Sequence, residues 1–266
     1  MKLAVALSFI LILSSLAAAA PSQRDAASRD QSRASKEKNN TSKRGSRADS
    51  SRTASNNVQE AQEQASKAAK VFQEIMDIPE NSIPQAIVNR AECIAVFPSV
   101  IKGGFLLFGG RWGRGVVSCR NAGSGAWGPP IFLEVKGGSF GPQIGGEAVD
   151  LILVGMNRST ADLFVKDRFK IGAEASAAAG PVGRTASAET DLPTIKTQFL
   201  SYSRSRGLFA GLELKGSVIG REKDLNRAVY GGDKDAGQIL LNGVSVPSGI
   251  QVFQQTLSKY TPRRAK

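Results

Sequence analysis

Ser99 and Lys102 are spaced like the Ser-x-x-Lys pair of penicillin-binding enzymes. That chemistry needs both side chains on one turn of a helix. Here Pro98 precedes the pair and Gly103-Gly104 follows it, and neither neighbour suits the interior of a helix. The Ser-Asp-Asn and Lys-Thr-Gly elements that accompany the motif in those enzymes are missing. We therefore expect no catalysis at this pair.

The inventory of chemically active side chains is poor elsewhere too. The chain has no histidine and two cysteines, which removes His-based triads, His-ligated zinc and a thiolate metal cage. No Walker loop or dinucleotide fingerprint occurs. Asp224, Asp233 and Asp235 could bind Ca²⁺, but their spacing matches no calcium loop and favours a solvated loop. We predict a protein that is not an enzyme and uses no metal or cofactor.

The two cysteines, Cys93 and Cys119, fall in segments that have the character of strands. Neighbouring strands bring such side chains within bridging distance only if the register allows it. An exported protein would meet an oxidising compartment, which favours a disulfide. The alternative is a pair of small buried hydrophobic residues, and the sequence leaves both open.

Basic and aromatic residues offer a different chemistry, which is contact with an anionic surface. The candidates are Lys67, Lys70, Lys102, Arg111, Trp112 and Arg114. Residues 109–115 contain Arg111, Trp112 and Arg114 together with four glycines, a pattern that favours a hairpin tip. Arginine suits phosphate, and tryptophan suits the membrane–water interface. The alternative is a solvated turn without a ligand.

Helices at the two ends of the folded part would hold these residues in place. The first should start near Val58 and carry an apolar stripe as far as Ile75, with Lys67 and Lys70 near its edge. It either packs on its own domain or lies on a membrane surface. The last helix should follow Pro247 and bury Ile250, Phe253 and Leu257.

Short apolar runs bounded by glycine lie between these helices and predict strands. One of them, Ile94–Phe97, should end at Pro98. Further runs are Phe105–Phe108, Val116–Arg120, Ile131–Val135 and Leu151–Val154. The pattern predicts an α+β fold, with a mainly antiparallel barrel-like or sandwich β-sheet and amphipathic helices at the N- and C-terminal ends.

The 266 residues divide into four parts. Residues 1–20 combine Lys2, an apolar run and small residues, as in a secretory signal peptide. Residues 21–57 are rich in Ser and Arg, with nine basic and four acidic residues, and are predicted to be a disordered basic tail. A domain over 58–261 and a basic tail over 262–266 complete the chain. We expect an exported protein, periplasmic or secreted.

One stretch of the domain resembles a known family signature. It runs from Tyr202 to Gly211 as Tyr-Ser-Arg-Ser-Arg-Gly-Leu-Phe-Ala-Gly. Its signature positions are Tyr202, Ser203, Arg204, Gly207, Leu208, Phe209 and Gly211. Segments 91–98, 127–130, 141–146, 177–184 and 230–231 fit the same family in the same order. The chain therefore resembles the SYLF family, as an exported, bacterial-type member, over about 200 residues.

The resemblance implies a single lipid-binding domain without catalytic residues. It also implies phosphoinositide ligands in the eukaryotic members and actin association in those of yeast. With the formal net charge of +12, it predicts a non-catalytic protein of the cell envelope or exterior that binds anionic lipid headgroups. The alternative is a protein-interaction module resembling the actin-binding members, with no lipid ligand and an unknown partner. The folded part has no ladder of basic and aromatic residues of the kind that single-strand binders use, so we expect no specific nucleic-acid binding.

Overall fold

A computed structural model describes residues 52–78, 82–140, 145–182, 197–205, 208–209, 213–232 and 234–262. The predicted signal peptide and residues 21–51 of the tail lie outside the described residues, as do Gly207, Gly211, Asp233 and the last four residues. Helix α1 covers residues 52–76. The other helices are α2 Gln85–Arg90, α3 Ser159–Val165, α4 Lys223–Tyr230, α5 Ala236–Asn242 and α6 Gln251–Tyr260.

The strands of the described residues form one sheet that is strongly curled into a half-barrel. They are β1 Cys93–Phe105, β2 Phe108–Cys119, β3 Ile131–Phe140, β4 Gly145–Gly155, β5 Arg168–Lys170, β6 Ala177–Ala179, β7 Phe199–Ser205, β8 Leu208–Phe209 and β9 Val218–Arg221. Their order is β5-β9-β3-β2-β1-β4-β7-β6, with β8 paired to β7. Only the β6–β7 pair among them is parallel. The predicted α+β class is confirmed, with the barrel-like arrangement of the sheet.

Long hairpins, rather than the short strands that we expected, build the centre of the sheet. Strand β1 does not stop at Pro98 but continues through a bulge between Phe97 and Val100. There the Ser99 backbone has a φ of 53°, and its N–H donates to Asp150 Oδ1 at 3.0 Å. A bulge tolerates proline because the extra residue needs no ladder hydrogen bond.

The turn between β1 and β2 is also displaced from its predicted position. Phe105 pairs with Phe108, so Leu106 and Leu107 form the turn. The prediction of a hairpin tip at residues 109–115 is therefore wrong, since this segment is the interior of β2. Glycine-rich strands read as turns in a sequence, because glycine is depleted in strands and enriched in turns.

Helix α1 packs against one face of the sheet. Its predicted apolar stripe is confirmed, with Ala61, Ala65, Ala68, Phe72 and Ile75 all buried. The chain is already helical at Arg52, six residues before the predicted start. The last helix also matches the prediction, because Ile250, Phe253 and Leu257 are buried. Phe72 of α1 meets Tyr260 of α6 edge to face, with 6.0 Å between the ring centroids.

A disulfide joins Cys93 to Cys119. The two residues are directly opposite each other in the β1–β2 ladder, with 4.0 Å between their Cα atoms. The pairing therefore followed from the register of two strands, which the sequence did not specify.

A buried arginine closes the same end of the sheet. Arg120 is 1% exposed, and its guanidinium lies 4.4 Å above the ring of Trp127. It donates to backbone carbonyls of Ala91 at 3.0 Å, Gly125 at 2.7 Å, Thr261 at 3.3 Å and Pro262 at 3.4 Å. One side chain thus links the start of β1 to the end of α6.

None of the helices in the described ranges has the length and hydrophobicity that crossing a bilayer requires.

Candidate functional site

The ends of β1–β4 nearest the β1–β2 turn expose one face of the sheet, which we call the distal face. Side chains alternate between the two faces of a strand, and residues paired across strands share a face. The register therefore assigns ten exposed residues to the distal face: Ile101, Gly103, Phe105, Phe108, Gly110, Trp112, Lys136, Gly138, Gly146 and Ala148.

Helix α1 covers the continuation of this same face. Arg114 follows Trp112 on the distal-face side of β2 and pairs with Glu60 of α1. Arg204 of β7 pairs with Glu74 of α1 at 2.6 Å, and it lies opposite Asp150 of β4. The helix thus crosses from β2 to β7 and leaves the distal face uncovered.

Apolar exposure is concentrated at this end of the protein. Eight large hydrophobic residues of the described chain are exposed, and six of them lie on the β1–β2 hairpin. Those six are Ile101, Phe105, Leu106, Leu107, Phe108 and Trp112. Phe105 and Phe108 are 71% and 72% exposed. Such a cluster marks a binding surface, because scattered exposed apolar residues are normal but contiguous patches are not.

The turn itself has an unfavourable sequence for its conformation. Leu106 has a φ of 58°, in the left-handed region that glycine and asparagine adopt most readily. A leucine there costs about 1 kcal/mol in backbone strain. Strained backbone conformations cluster at functional positions, and here the strained residue belongs to a turn that exposes two leucines.

Most of the predicted cationic contacts are already paired with carboxylates. Lys67 and Lys70 lie one turn from Glu63 and Glu74 on α1, with nitrogen–oxygen distances of 2.7 and 3.9 Å. Both lysines are exposed, so these pairs are weak and leave the amines accessible. They lie on α1 and not on the distal face.

Three further cations lie on the strands that carry the distal face, but only Lys136 projects from that face. Lys102 and Arg111 oppose each other at the alternate positions of β1 and β2 and project from the opposite face. Lys102 pairs with Glu147 at 2.8 Å, and Lys136 pairs with Glu134 at 2.6 Å. Arg111 donates to Ser217 Oγ at 3.1 Å, and partial burial lowers the pKa of its guanidinium, opposed by the charge of Glu213. Trp112 stands on the face between Ile101 and Lys136, which oppose it in the ladders. The structure thus brings Trp112 together with Lys136, which was not among the residues predicted from the sequence, and places Lys102 and Arg111 on the opposite face of the sheet.

The signature residues have structural positions instead. Tyr202 and Ser203 are buried, and burial raises the pKa of the Tyr202 hydroxyl. Burial lowers the pKa of Arg204, but hydrogen bonds to Glu74 and Asp150 outweigh it and raise the pKa. Leu208 and Phe209 form β8, which pairs antiparallel with β7. This stretch ties α1 to the sheet.

Phe105–Phe108 was not predicted to be a functional segment. From the sequence these residues were expected to form an apolar strand, because four consecutive apolar residues usually indicate burial. The informative signal was the run of paired glycines on either side, Gly103-Gly104 and Gly109-Gly110. Symmetric flanks of this kind are compatible with a hairpin centred on the apolar run.

Arg114 should contribute to stability rather than to surface binding. Its guanidinium contacts Glu60 and also Glu222, with 2.9 Å from Nε to the carboxylate. Replacing it with Ala should lower the free energy of unfolding by about 1 kcal/mol, because the pairs are partly exposed and screened. Denaturant unfolding measures this loss. An unchanged stability together with weaker vesicle binding would contradict it and return Arg114 to the contact surface.

Among the described residues, no group of three or more His, Cys, Asp or Glu side chains is placed to hold a metal ion.

In a comparison with known proteins, residues 136–260 match the family model described as "Ysc84: Las17-binding protein actin regulator". The rat "SH3 domain-containing YSC84-like protein 1" is 33% identical over 206 residues, which are 75% of this chain and 59% of that protein. "Protein YSC84" of Saccharomyces cerevisiae is 33% identical over 189 residues, 68% of this chain and 40% of its own length. The chain thus spans less than two thirds of these curated relatives. The description of the family model names actin regulation and the name of the rat relative an SH3 domain, and neither names an enzyme activity.

Proposed function

Because the chain belongs to the SYLF (Ysc84) family, we propose that it is a non-catalytic protein that associates with anionic lipid surfaces through the distal face and the β1–β2 turn. The observation that carries this proposal is the clustering of six of the eight exposed large hydrophobic residues of the described chain on one hairpin. Lipid is the occupant that best suits an apolar end bordered by cations on a chain with a net charge of +12.

In this proposal the apolar residues and the cations contact different depths of the membrane. Leu106, Leu107 and the two flanking phenylalanines enter the apolar boundary of the bilayer. Trp112 lies further along β2, at the depth where indole rings favour the interface. Lys102, Arg111 and Lys136 remain near the headgroups, where each basic residue contributes about 1 kcal/mol at low salt.

Sedimentation with vesicles tests this function. The protein should sediment with vesicles containing phosphatidylglycerol, and less with purely zwitterionic vesicles of the same size. Raising salt should weaken the binding but leave an apolar remainder, because salt screens charges and not hydrophobic contacts. If the protein sediments with neither kind of vesicle at low salt, the proposal is rejected.

We also propose that the protein acts outside the cytoplasm, since residues 1–20 have the composition of a signal peptide. A mature N-terminus near residue 20 or 21 in protein recovered from the cell envelope or medium would support export. Retention of Met1 in all of the cellular protein would oppose it.

A protein partner is the second candidate, because the matching family model is described as an actin regulator. An exposed apolar patch is also a surface of the kind that binds proteins. Cosedimentation with actin filaments distinguishes the two functions. Binding that requires residues 21–57 would indicate only attraction of the basic tail to an acidic filament, whereas binding that requires the hairpin would support this alternative.

A further inference from the structure

A shallow, largely open groove crosses the distal face behind the β1–β2 turn. Its volume is about 710 Å³, and it is lined by Ile101, Arg111, Trp112, Lys136 and Val218 together with glycines. Trp112 and Ile101 form one side through their pairing in the ladder. Phe105 and Phe108 are four residues further toward the turn on the same face, so the two rows stand about 13 Å apart.

The floor between these rows has no side chains. Gly146, Gly103, Gly110 and Gly138 are paired in succession across β4, β1, β2 and β3. Four strands at about 4.8 Å spacing make this floor about 14 Å long. Any other residue in the row would fill the groove.

The fold does not require these glycines on steric grounds. A Cβ atom at Gly103 or Gly110 would have its nearest contact at 3.6 or 3.7 Å, an ordinary van der Waals distance. In contrast, a Cβ atom at Gly113 or Gly115 of the same strand would lie 2.8 Å from Val100 or 2.4 Å from Phe97. Glycine weakens a strand by about 0.5–1 kcal/mol relative to alanine. The floor glycines therefore reduce stability where larger residues would fit.

We infer that this groove holds one acyl chain of an anionic lipid. Its walls are apolar and continuous with the exposed hairpin that, under the proposed function, faces the lipid surface. Lys136, which projects from the distal face into its lining, complements a carboxylate or phosphate headgroup. The chemistry shared by a free fatty acid and a phospholipid tail, an acyl chain with an anionic head, defines the ligand.

Trp112 provides a direct readout of occupancy. The chain has two tryptophans; Trp112 lines the groove, and Trp127 is buried with its Nε1–H donating to Thr261 Oγ1 at 2.6 Å. Doxyl-labelled stearate, added to the full chain without vesicles and below its critical micelle concentration, should quench part of the fluorescence saturably. A small polar nitroxide at the same concentration is the control for simple collision.

The groove-filling variant Gly103→Val/Gly110→Val tests the site. Apparent affinity for the labelled stearate should fall about tenfold, the loss expected when roughly two methylene groups remain in water. The variant Leu106→Asn/Leu107→Gly changes the turn outside the groove lining and should retain this quenching. Circular dichroism confirms that each variant is folded; if the double valine variant does not fold, Gly110→Ala alone should still weaken the binding.

Displacement experiments distinguish the two lipid sources. Stronger displacement of the probe by lysophosphatidylglycerol than by unlabelled stearate supports a phospholipid tail, and the reverse supports a free fatty acid. Quenching that does not saturate, or equal affinity in the glycine variants, overturns the inference. Vesicle sedimentation of the unmodified protein is scored separately, so loss of the groove would leave the proposed surface association intact.

Discussion

Replacing Leu106 with Asn and Leu107 with Gly should lower partitioning onto anionic vesicles by about a hundredfold. Two leucines leaving an apolar environment lose about 3 kcal/mol together, and each 1.4 kcal/mol is a factor of about ten. The new turn should be no less stable, because Asn and Gly adopt the left-handed conformation of residue 106 more readily than Leu. Vesicle sedimentation and thermal unfolding measure the two effects on the same samples.

A matched control separates this prediction from a general loss of hydrophobicity. Val252 is exposed on α6 and belongs neither to the turn nor to the distal face. Its replacement with Asn removes an exposed apolar side chain and should leave vesicle binding unchanged. If both variants bind as the unmodified protein does, lipid association does not use the hairpin; if the turn variant unfolds instead, the turn is structural.

Arg120→Ala should produce the largest loss of stability, about 4 kcal/mol. The change leaves the Ala91 and Thr261 carbonyls without this donor, removes the contact with Trp127 and opens a cavity. For a domain of about 200 residues the melting temperature should fall by about 10 °C. Arg120→Lys should recover little, because one ammonium cannot reproduce the guanidinium fork.

Arg168 on β5 is the control for removing a positive charge. It is exposed, so its replacement with Ala should change the free energy of unfolding by less than about 0.5 kcal/mol. Urea unfolding of the three variants with the disulfide intact gives the comparison. A loss below about 1 kcal/mol for Arg120→Ala would show that the C-terminal segment is held without this residue.

The sequence alone predicted the features that depend on local periodicity and composition. The stripe of α1 and the buried face of α6 follow the helical repeat, which is written in neighbouring residues. The fold class followed from many short glycine-bounded runs between two helical ends. The scarcity of residues suited to acid–base catalysis also followed from the sequence alone, because it depends only on which residue types are present.

Tertiary structure decided where those elements end and what they leave exposed. The bulge at Ser99 lets β1 pass Pro98, and the register that follows sets Phe105 opposite Phe108 and Cys93 opposite Cys119. Register arises from pairing between distant segments, and a shift of one residue would move every side chain to the other face. The run Phe105–Phe108 therefore looked like a buried strand, whereas the paired chain exposes it. Similarly, the sequence indicated Arg114 as a lipid contact, whereas in the structure it pairs with Glu60 of α1. An ion pair between remote elements leaves no local pattern in the sequence, so it could not be predicted.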